Sequence, residues 1–377
     1  MAENTVSEVS STLVCALCGA VPDLAQAWRC PVCGGPLELR GLPPFDPQAI
    51  DREAATIWRY RAMLPVNPPG GRILSLGEGF SPLIPTVVQG QLCLVKVEYL
   101  MPTASYKDRG TAVMVNHLLA LGVGEVVEDS SGNAGASLAA YAAAAGIRAR
   151  IFVPAYAAPG KKRQISIFGA ELVPVEGPRQ ATTEACLRAA ETSFYASHAW
   201  SPYFLLGQTT FGWEVWEQLD RRVPDAILFP VGQGSLLLGA YRAFVALRQA
   251  GLVARLPRLY AVQAEACDPV VRAWERGEDV PAVERTGQTV AEGILIKAPI
   301  RGRELMQALR ESGGGALAVT EAAIGKATGA LAHRGLFVEP TSAVPVAALP
   351  DVRALLGPEA EIVVPLTGSG LKGVSGA

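Results

Sequence analysis

Charge is scarce in this chain. Only 18% of its 377 residues are Asp, Glu, Lys or Arg, and the formal net charge is −2. So weak a balance gives no global field to recruit nucleic acid or an acidic membrane surface. A long apolar run is missing too. The most apolar stretch, ASLAAYAAAAGIRARIFV, is mostly alanine and is broken by Arg148 and Arg150, so no membrane span is expected. The leading ten residues, MAENTVSEVS, have neither a basic n-region nor an apolar h-region, so no export signal is read there. Tandem repeats and low-complexity tracts are absent as well. What remains is a chain that is half hydrophobic, with 39 glycines and 28 prolines, able to bury large cores between tight loops. Its length allows two or three domains. Seven cysteines without an export signal point to a reducing, cytoplasmic compartment, where thiols bind metal or lie buried.

Four of those cysteines fall in two CxxC knuckles, Cys15 with Cys18 and Cys30 with Cys33. That spacing can place four thiolates around one tetrahedral Zn²⁺, as in a zinc ribbon. A disulfide reading conflicts with the reducing compartment, and a redox CxxC accounts for one pair but not for two. Nucleic-acid binding by residues 1–40 is disfavoured, because Arg29 and Arg40 are their only basic side chains. The segment reads as a structural cap whose metal stabilises a stretch too short to build its own core. The proline-rich residues 41–75 read as a linker with one short helix near ATIWRYRAML.

Beyond residue 76, short apolar runs alternate with helical patterns. QLCLVKVEYL, GEVVEDS, RARIFVP, AELVPVEG, PDAILFPVG, RLYAVQAE and EIVVPLTG read as strands. Helices are expected at SYKDRGTAVMVNHLLALG, NAGASLAAYAAAAG, APGKKRQISIFG and GSLLLGAYRAFVALRQAG. This rhythm implies an α/β chain with mostly parallel sheets covered by helices on both faces.

Four stretches carry chemistry. In PTASYKDRG, Ser105 and Asp108 have capping-box spacing, which sets Lys107 in the first turn of a helix. The helix dipole disfavours a cation there, which favours a neutral, nucleophilic amine over a solvating one; a plain surface lysine is the alternative. In EDSSGNAGASLAA, a glycine-broken turn opens an alanine-rich helix, and its exposed N–H groups around Ser130, Ser131 and Gly132 suit a substrate carboxylate. Asn133 beside them can bond a phenolic oxygen. In ILFPVGQGSLLLGAYRAF, the turn of Gly232, Gln233, Gly234, Ser235 and Leu236 lets backbone amides converge on a phosphate. It lacks the third glycine of a dinucleotide fingerprint and the Lys-Ser/Thr of a nucleotide P-loop, so a small phosphate monoester fits better. In VVPLTGSGLKGV, Thr367 offers a neutral hydroxyl to a ring nitrogen. The Ser369/Lys372 spacing has no SDN or KTG companion, which excludes acyl-serine chemistry of the β-lactamase type.

Together these stretches form a known pattern. GEGFSPL (77–83), MPTASYKDRG (101–110), SSGNA (130–134), PVGQGSL (230–236) and LTGSGLK (366–372) stand in the order of GEGxTPL, NPTGSFKDRG, SSGNT, PVGNGGN and LTGHGLK. The chain thereby resembles the threonine synthase family of fold-type II pyridoxal-phosphate enzymes over nearly its whole length; RYRAMLPV, SPYFLLGQTT, FVEPTSA and the double CxxC add to the likeness. The resemblance implies two three-layer α/β/α domains plus the small N-terminal zinc ribbon. Residues 1–40 form the ribbon, 41–96 a linker and the first part of the large domain, 97–210 the small domain and 211–377 the large one. It also implies a homodimer, a small amino-acid substrate, and pyridoxal 5′-phosphate lying between the domains. Lys107 would join the cofactor aldehyde as an internal aldimine, Asn133 would contact the ring 3-oxygen, Gly232 to Leu236 would hold the phosphate, and Thr367 would meet the pyridine nitrogen. The implied reaction converts O-phospho-L-homoserine and water to L-threonine and phosphate.

Departures from the pattern cluster on the substrate side. Met101 replaces an asparagine, Ala104 a glycine, Ala134 a threonine and Ser369 a histidine, while Gln233 and Leu236 replace loop asparagines. Pro178, Arg179 and Gln180 follow VEG, and Glu184 falls near the place of an arginine, with Arg179 or Arg188 as compensating cations. The alternatives are therefore a related β-elimination or β-replacement enzyme, a serine/threonine dehydratase, or a non-catalytic cofactor-binding paralogue. Tyr106, Arg109, His117 and Tyr203 are read as packing or solvent-facing.

Overall fold

The computed structural model describes residues 11–23, 27–157 and 159–373; MAENTVSEVS lies outside the described residues. The strands are β1 (Thr12–Cys15), β2 (Leu37–Arg40), β3 (Leu83–Val88), β4 (Gln91–Lys96), β5 (Glu125–Glu128), β6 (Arg148–Pro154), β7 (Glu171–Val175), β8 (Phe194–Tyr195), β9 (Ala226–Pro230), β10 (Arg258–Ala264), β11 (Gly315–Val319) and β12 (Ile362–Pro365). The helices are α1 (Lys107–Ala120), α2 (Asn133–Ala145), α3 (Pro159–Ser166), α4 (Arg179–Ala189), α5 (Pro202–Gln218), α6 (Ser235–Gln249), α7 (Pro269–Arg276), α8 (Gly302–Glu311), α9 (Glu321–Ala332), α10 (Pro340–Ala347) and α11 (Leu349–Leu356).

Three sheets result. β1 and β2 form an antiparallel hairpin that carries the cysteine knuckles. A four-stranded sheet runs β7-β6-β5-β8, all parallel. A six-stranded sheet runs β11-β10-β9-β12-β4-β3, parallel except for the β3–β4 edge pair. Strands such as AILFP of β9 read as unbroken apolar runs because both of their faces are covered. Ile227 and Phe229 enter one core while Ala226 and Leu228 enter the other, the alternation a pleated strand imposes. The first core also takes Val126, Ile151 and Val153 of the four-stranded sheet, so one apolar body joins the two sheets. Among the described residues no helix is long and apolar enough to cross a membrane.

The α/β rhythm is as expected, with local differences. The helix near ATIWRYRAML is a 3₁₀ run, Ile57–Met63. QLCLVKVEYL divides into β4 and a 3₁₀ turn, Glu98–Leu100. β3, which follows directly on GEGFSP, pairs back on β4 in antiparallel fashion.

Candidate active site

All four motif loops leave the C-terminal ends of parallel strands, the edge where open α/β sheets present ligands. The Lys107 loop follows β4, the Thr367 loop follows β12 and the glycine turn follows β9, three adjacent strands of one sheet. The Ser130–Gly132 loop follows β5 of the other sheet.

The first two loops are tied by backbone. Tyr106 N donates to Thr367 O at 3.0 Å, Ser369 N donates to Ala104 O at 3.1 Å, and Ser105 and Gly368 form an antiparallel bridge. Lys107 opens α1 as expected, but the capping box does not form. The α1 N-cap is Tyr106, with no side-chain cap bond. Asp108 instead accepts from Thr103 N at 2.7 Å, Thr103 Oγ1 at 2.6 Å and Ser137 Oγ at 2.6 Å. Burial pushes the Asp108 carboxyl up to about 6, although these three donors oppose it. The Lys107 ammonium donates to the Tyr106 hydroxyl at 2.6 Å. Tyr106, set aside from the sequence, is thus the amine's direct neighbour.

Beneath Lys107 lies a dry ionic lattice. Arg109 forks onto Glu98 (2.7 and 2.8 Å) and Glu214 (2.5 and 2.6 Å), and Lys96 donates to Glu214 at 2.8 Å. Burial would raise the Glu214 carboxyl, but Arg109 and Lys96 outweigh it and hold it down at about 2. His117 stacks on Tyr203 with centroids 3.4 Å apart, and burial lowers its imidazole to about 4. These groups are packing, as expected for Arg109, His117 and Tyr203.

Asn133 opens α2, and its amide is held from both sides. Its Nδ2 donates to the Glu339 carboxylate at 3.1 and 3.2 Å, and Lys372 Nζ donates to its Oδ1 at 2.8 Å. Burial lowers the Lys372 ammonium, while Glu339 and Asp108 oppose the shift. Glu339 also lies against Gly368, where an added Cβ would collide with its carboxylate. Thr367 Oγ1 meets Ser342 Oγ at 3.0 Å, and Gly368 N donates to the same Ser342 oxygen at 2.8 Å. Glu339, Ser342 and Lys372 were missed as site residues. FVEPTSA and the LTGSGLK lysine were their only sequence signals.

In the glycine turn, Gly234 is left-handed (φ 74°) and caps α6. Ser235 Oγ is buried and has no hydrogen-bond partner among the described residues. It sits beside the first-turn N–H groups of α6, which have no intrahelical acceptor. An orphan hydroxyl at a helix N-terminus fits a phosphate oxygen. Gln233 faces the other way, its Oε1 accepting from Ile300 N at 3.0 Å. In the β5–α2 loop, Gly132 N donates to Ser130 Oγ at 3.4 Å. Half-buried Ser130, Ser131 and Gly132 lie next to Asn133. Gly135 admits the turn, because a Cβ there would collide with Ser130 O.

On the substrate side, Met101 is buried and its sulfur accepts from Gly79 N at 3.1 Å. Arg179 donates to the Asp129 carbonyl and carboxylate at 2.5 and 2.8 Å. Glu184 is exposed and accepts from Gln180. In the knuckles, the sulfurs of Cys15, Cys18, Cys30 and Cys33 all lie within 4.8 Å of one another. Burial would raise the Cys15 thiol, but N–H groups of Cys18 and Leu17 and its bond with Cys33 hold it down at about 6.

A family model described as pyridoxal-phosphate dependent enzyme matches residues 74–368. The threonine synthase of Methanosarcina acetivorans is 33% identical over 374 residues, covering 96% of this chain and 92% of its own length. That of Methanocaldococcus jannaschii is 32% identical, covering 95% and 92%. Among solved structures, the T.th. threonine deaminase superposes with TM-score 0.66 at 28% identity, over 77% of this chain and 92% of its own.

Proposed function

The chain belongs to the pyridoxal-phosphate dependent enzyme family and has its fold-type II architecture, and from that premise we propose that it is threonine synthase-like, converting O-phospho-L-homoserine and water to L-threonine and phosphate. The observation that carries this reading is the likeness to threonine synthases, which covers 95–96% of this chain. The gathering of the Lys107, Thr367 and glycine-turn loops at the C-terminal edge of one sheet supports it.

Pyridoxal phosphate, when bound, supplies an aldehyde for an amine and an electron sink for bonds broken beside a substrate's amino group. The chain's own residues do the rest. The α6 N-terminus and the Ser235 hydroxyl hold the phosphate. Lys107 would hold the cofactor and move protons at the substrate's carbons, with the Tyr106 hydroxyl 2.6 Å away to steady the amine. Thr367, its hydroxyl fixed by Ser342, would meet the ring nitrogen as a neutral partner that does not force protonation there. Asn133, whose amide is held by Glu339 and Lys372, would contact the ring oxygen. The Ser130–Gly132 turn takes the substrate carboxylate. The division at 97–210 and 211–377, with the cleft between, is part of the same proposal. The four clustered thiols fit a tetrahedral structural Zn²⁺.

A second reading, elimination on an unphosphorylated amino acid, is favoured by Arg179. Its guanidinium is engaged by Asp129 rather than left for a substrate phosphate. One assay separates the two. Phosphate release is measured from O-phosphohomoserine and O-phosphoserine, and ammonia release from serine and threonine. Threonine and phosphate from O-phosphohomoserine are expected, with all turnover lost in Lys107→Ala. Ammonia release alone would select the second reading. An intact chain that takes up no pyridoxal phosphate would sink both.

A further inference from the structure

One buried cation, Arg301, bonds the cysteine hairpin to the rest of the chain. Arg301 is 5% exposed and immediately precedes α8. Its Nη2 donates to Leu37 O at 2.6 Å and to Trp200 O at 3.0 Å, while Nη1 donates to Glu304 Oε1 at 2.7 Å. Leu37 belongs to β2 and is paired in register with Cys15, one of the four clustered thiols. Trp28 of the same segment packs edge-on against Trp200, with centroids 5.1 Å apart. Both carbonyls that hold Arg301 are therefore set by the hairpin, one directly and one through packing.

On its other side, the Arg301 segment holds the glycine turn. The neighbouring amide, Ile300 N, donates to Gln233 Oε1 at 3.0 Å. One turn into α8, Leu305 fills the space beside Gly234, where an added Cβ would collide with its side chain. The start of α8 thus grips two consecutive residues of the turn. A buried guanidinium that loses a carbonyl acceptor must find another or draw in water, and either response moves the backbone that carries it.

We propose that Arg301 is a positioning residue that couples metal occupancy of the Cys15, Cys18, Cys30 and Cys33 site to the shape of the phosphate-binding turn. Metal bound by the thiols fixes the β1–β2 register and keeps the Leu37 carbonyl aimed at Arg301. Arg301 then holds Ile300 N on Gln233 and Leu305 against Gly234. The inference rests on the reading that Gly232–Leu236 hold the cofactor phosphate.

The test compares pyridoxal phosphate with pyridoxal, which lacks only the phosphate. Both are titrated by absorbance into the full chain with zinc loaded, the same chain stripped of zinc, and zinc-loaded Arg301→Lys. Lysine keeps the charge for Glu304 but not the two-carbonyl grip. Stripping and the substitution should each weaken pyridoxal phosphate about tenfold, the worth of a hydrogen bond to a charged group. Pyridoxal binding should be unchanged, and stripping the Arg301→Lys protein should add little, because both act through one contact. Where stripping unfolds the chain, zinc-loaded Arg301→Lys decides alone. Unchanged pyridoxal phosphate affinity in Arg301→Lys overturns the coupling, as does equal loss for both ligands. A loaded wild-type chain that binds neither overturns the reading of the turn itself.

Discussion

Two ionic clusters sit by the start of α1, and they are built in opposite ways. The first joins Lys96, Glu98, Arg109 and Glu214, every side chain fully buried. Two cations meet two carboxylates, and Arg109 of α1 bridges the 3₁₀ turn Glu98–Leu100 and α5, where Glu214 also takes Lys96 of β4. The second joins Asn133, Glu339 and Lys372, all half-buried at the cleft edge, with a neutral amide between one cation and one anion. The first cluster is complete without a ligand, and disturbing it strands a charge in a dry core. The second can change partners against water or ligand at small expense. Charge in the first cluster is therefore scaffolding, and on our reading the second is where recognition takes place.

The largest expected effect comes from opening the closed cluster. Glu214→Gln leaves Lys96 and Arg109 short of an anion and should destabilise by about 3–5 kcal/mol, measured by urea unfolding at neutral pH. Next is Asp108, which is buried against Thr103 and Ser137 and feels the Lys372 charge of the second cluster. Its folded carboxyl titrates near 6, above its ordinary 3.8. The native state thus holds this proton more tightly than the unfolded chain does. Its stabilising contribution is fully present below about pH 4 and fades as pH rises through 6, by roughly 3 kcal/mol. Unfolding of Asp108→Asn across that range should lack this decline, and an identical slope would refute the assignment.

Smaller effects should come from the open cluster. Lys372→Met should change stability by about 1 kcal/mol or less while raising KM for the amino-acid substrate about tenfold. A stability loss as large as that of Glu214→Gln would erase the distinction between the two clusters. Least of all, Arg148→Ala breaks exposed pairs with Glu125 and Glu171 and should stay within about 0.5 kcal/mol by thermal unfolding.

Local grammar made much of this legible. The glycine turn, the Lys107 helix and the apolar strands announce themselves because each is specified by neighbours in sequence. Glu339 does not. It reaches Asn133 only because β12 and α10 fold back beside α2; FVEPTSA marks the stretch as familiar but does not say which residue it will meet. Arg109 shows the same limit, since the sequence leaves it open between packing and a solvent-facing place until Glu98 and Glu214 arrive from distant segments. The capping box failed for a related reason: Asp108 had stronger donors available in Thr103 and Ser137 than its own helix terminus offered. The antiparallel β3 escaped notice because an edge strand with exposed side chains lacks the unbroken apolar run of its neighbours.

The backbone bridge between Ser105 and Gly368 has a consequence for synthesis. The lysine loop is translated long before the strand that must lie against it. On the ribosome the nascent chain therefore carries Lys107 through the synthesis of every strand from β5 to β12 before that partner exists. Pairing of the two loops must wait for the segment that follows β12.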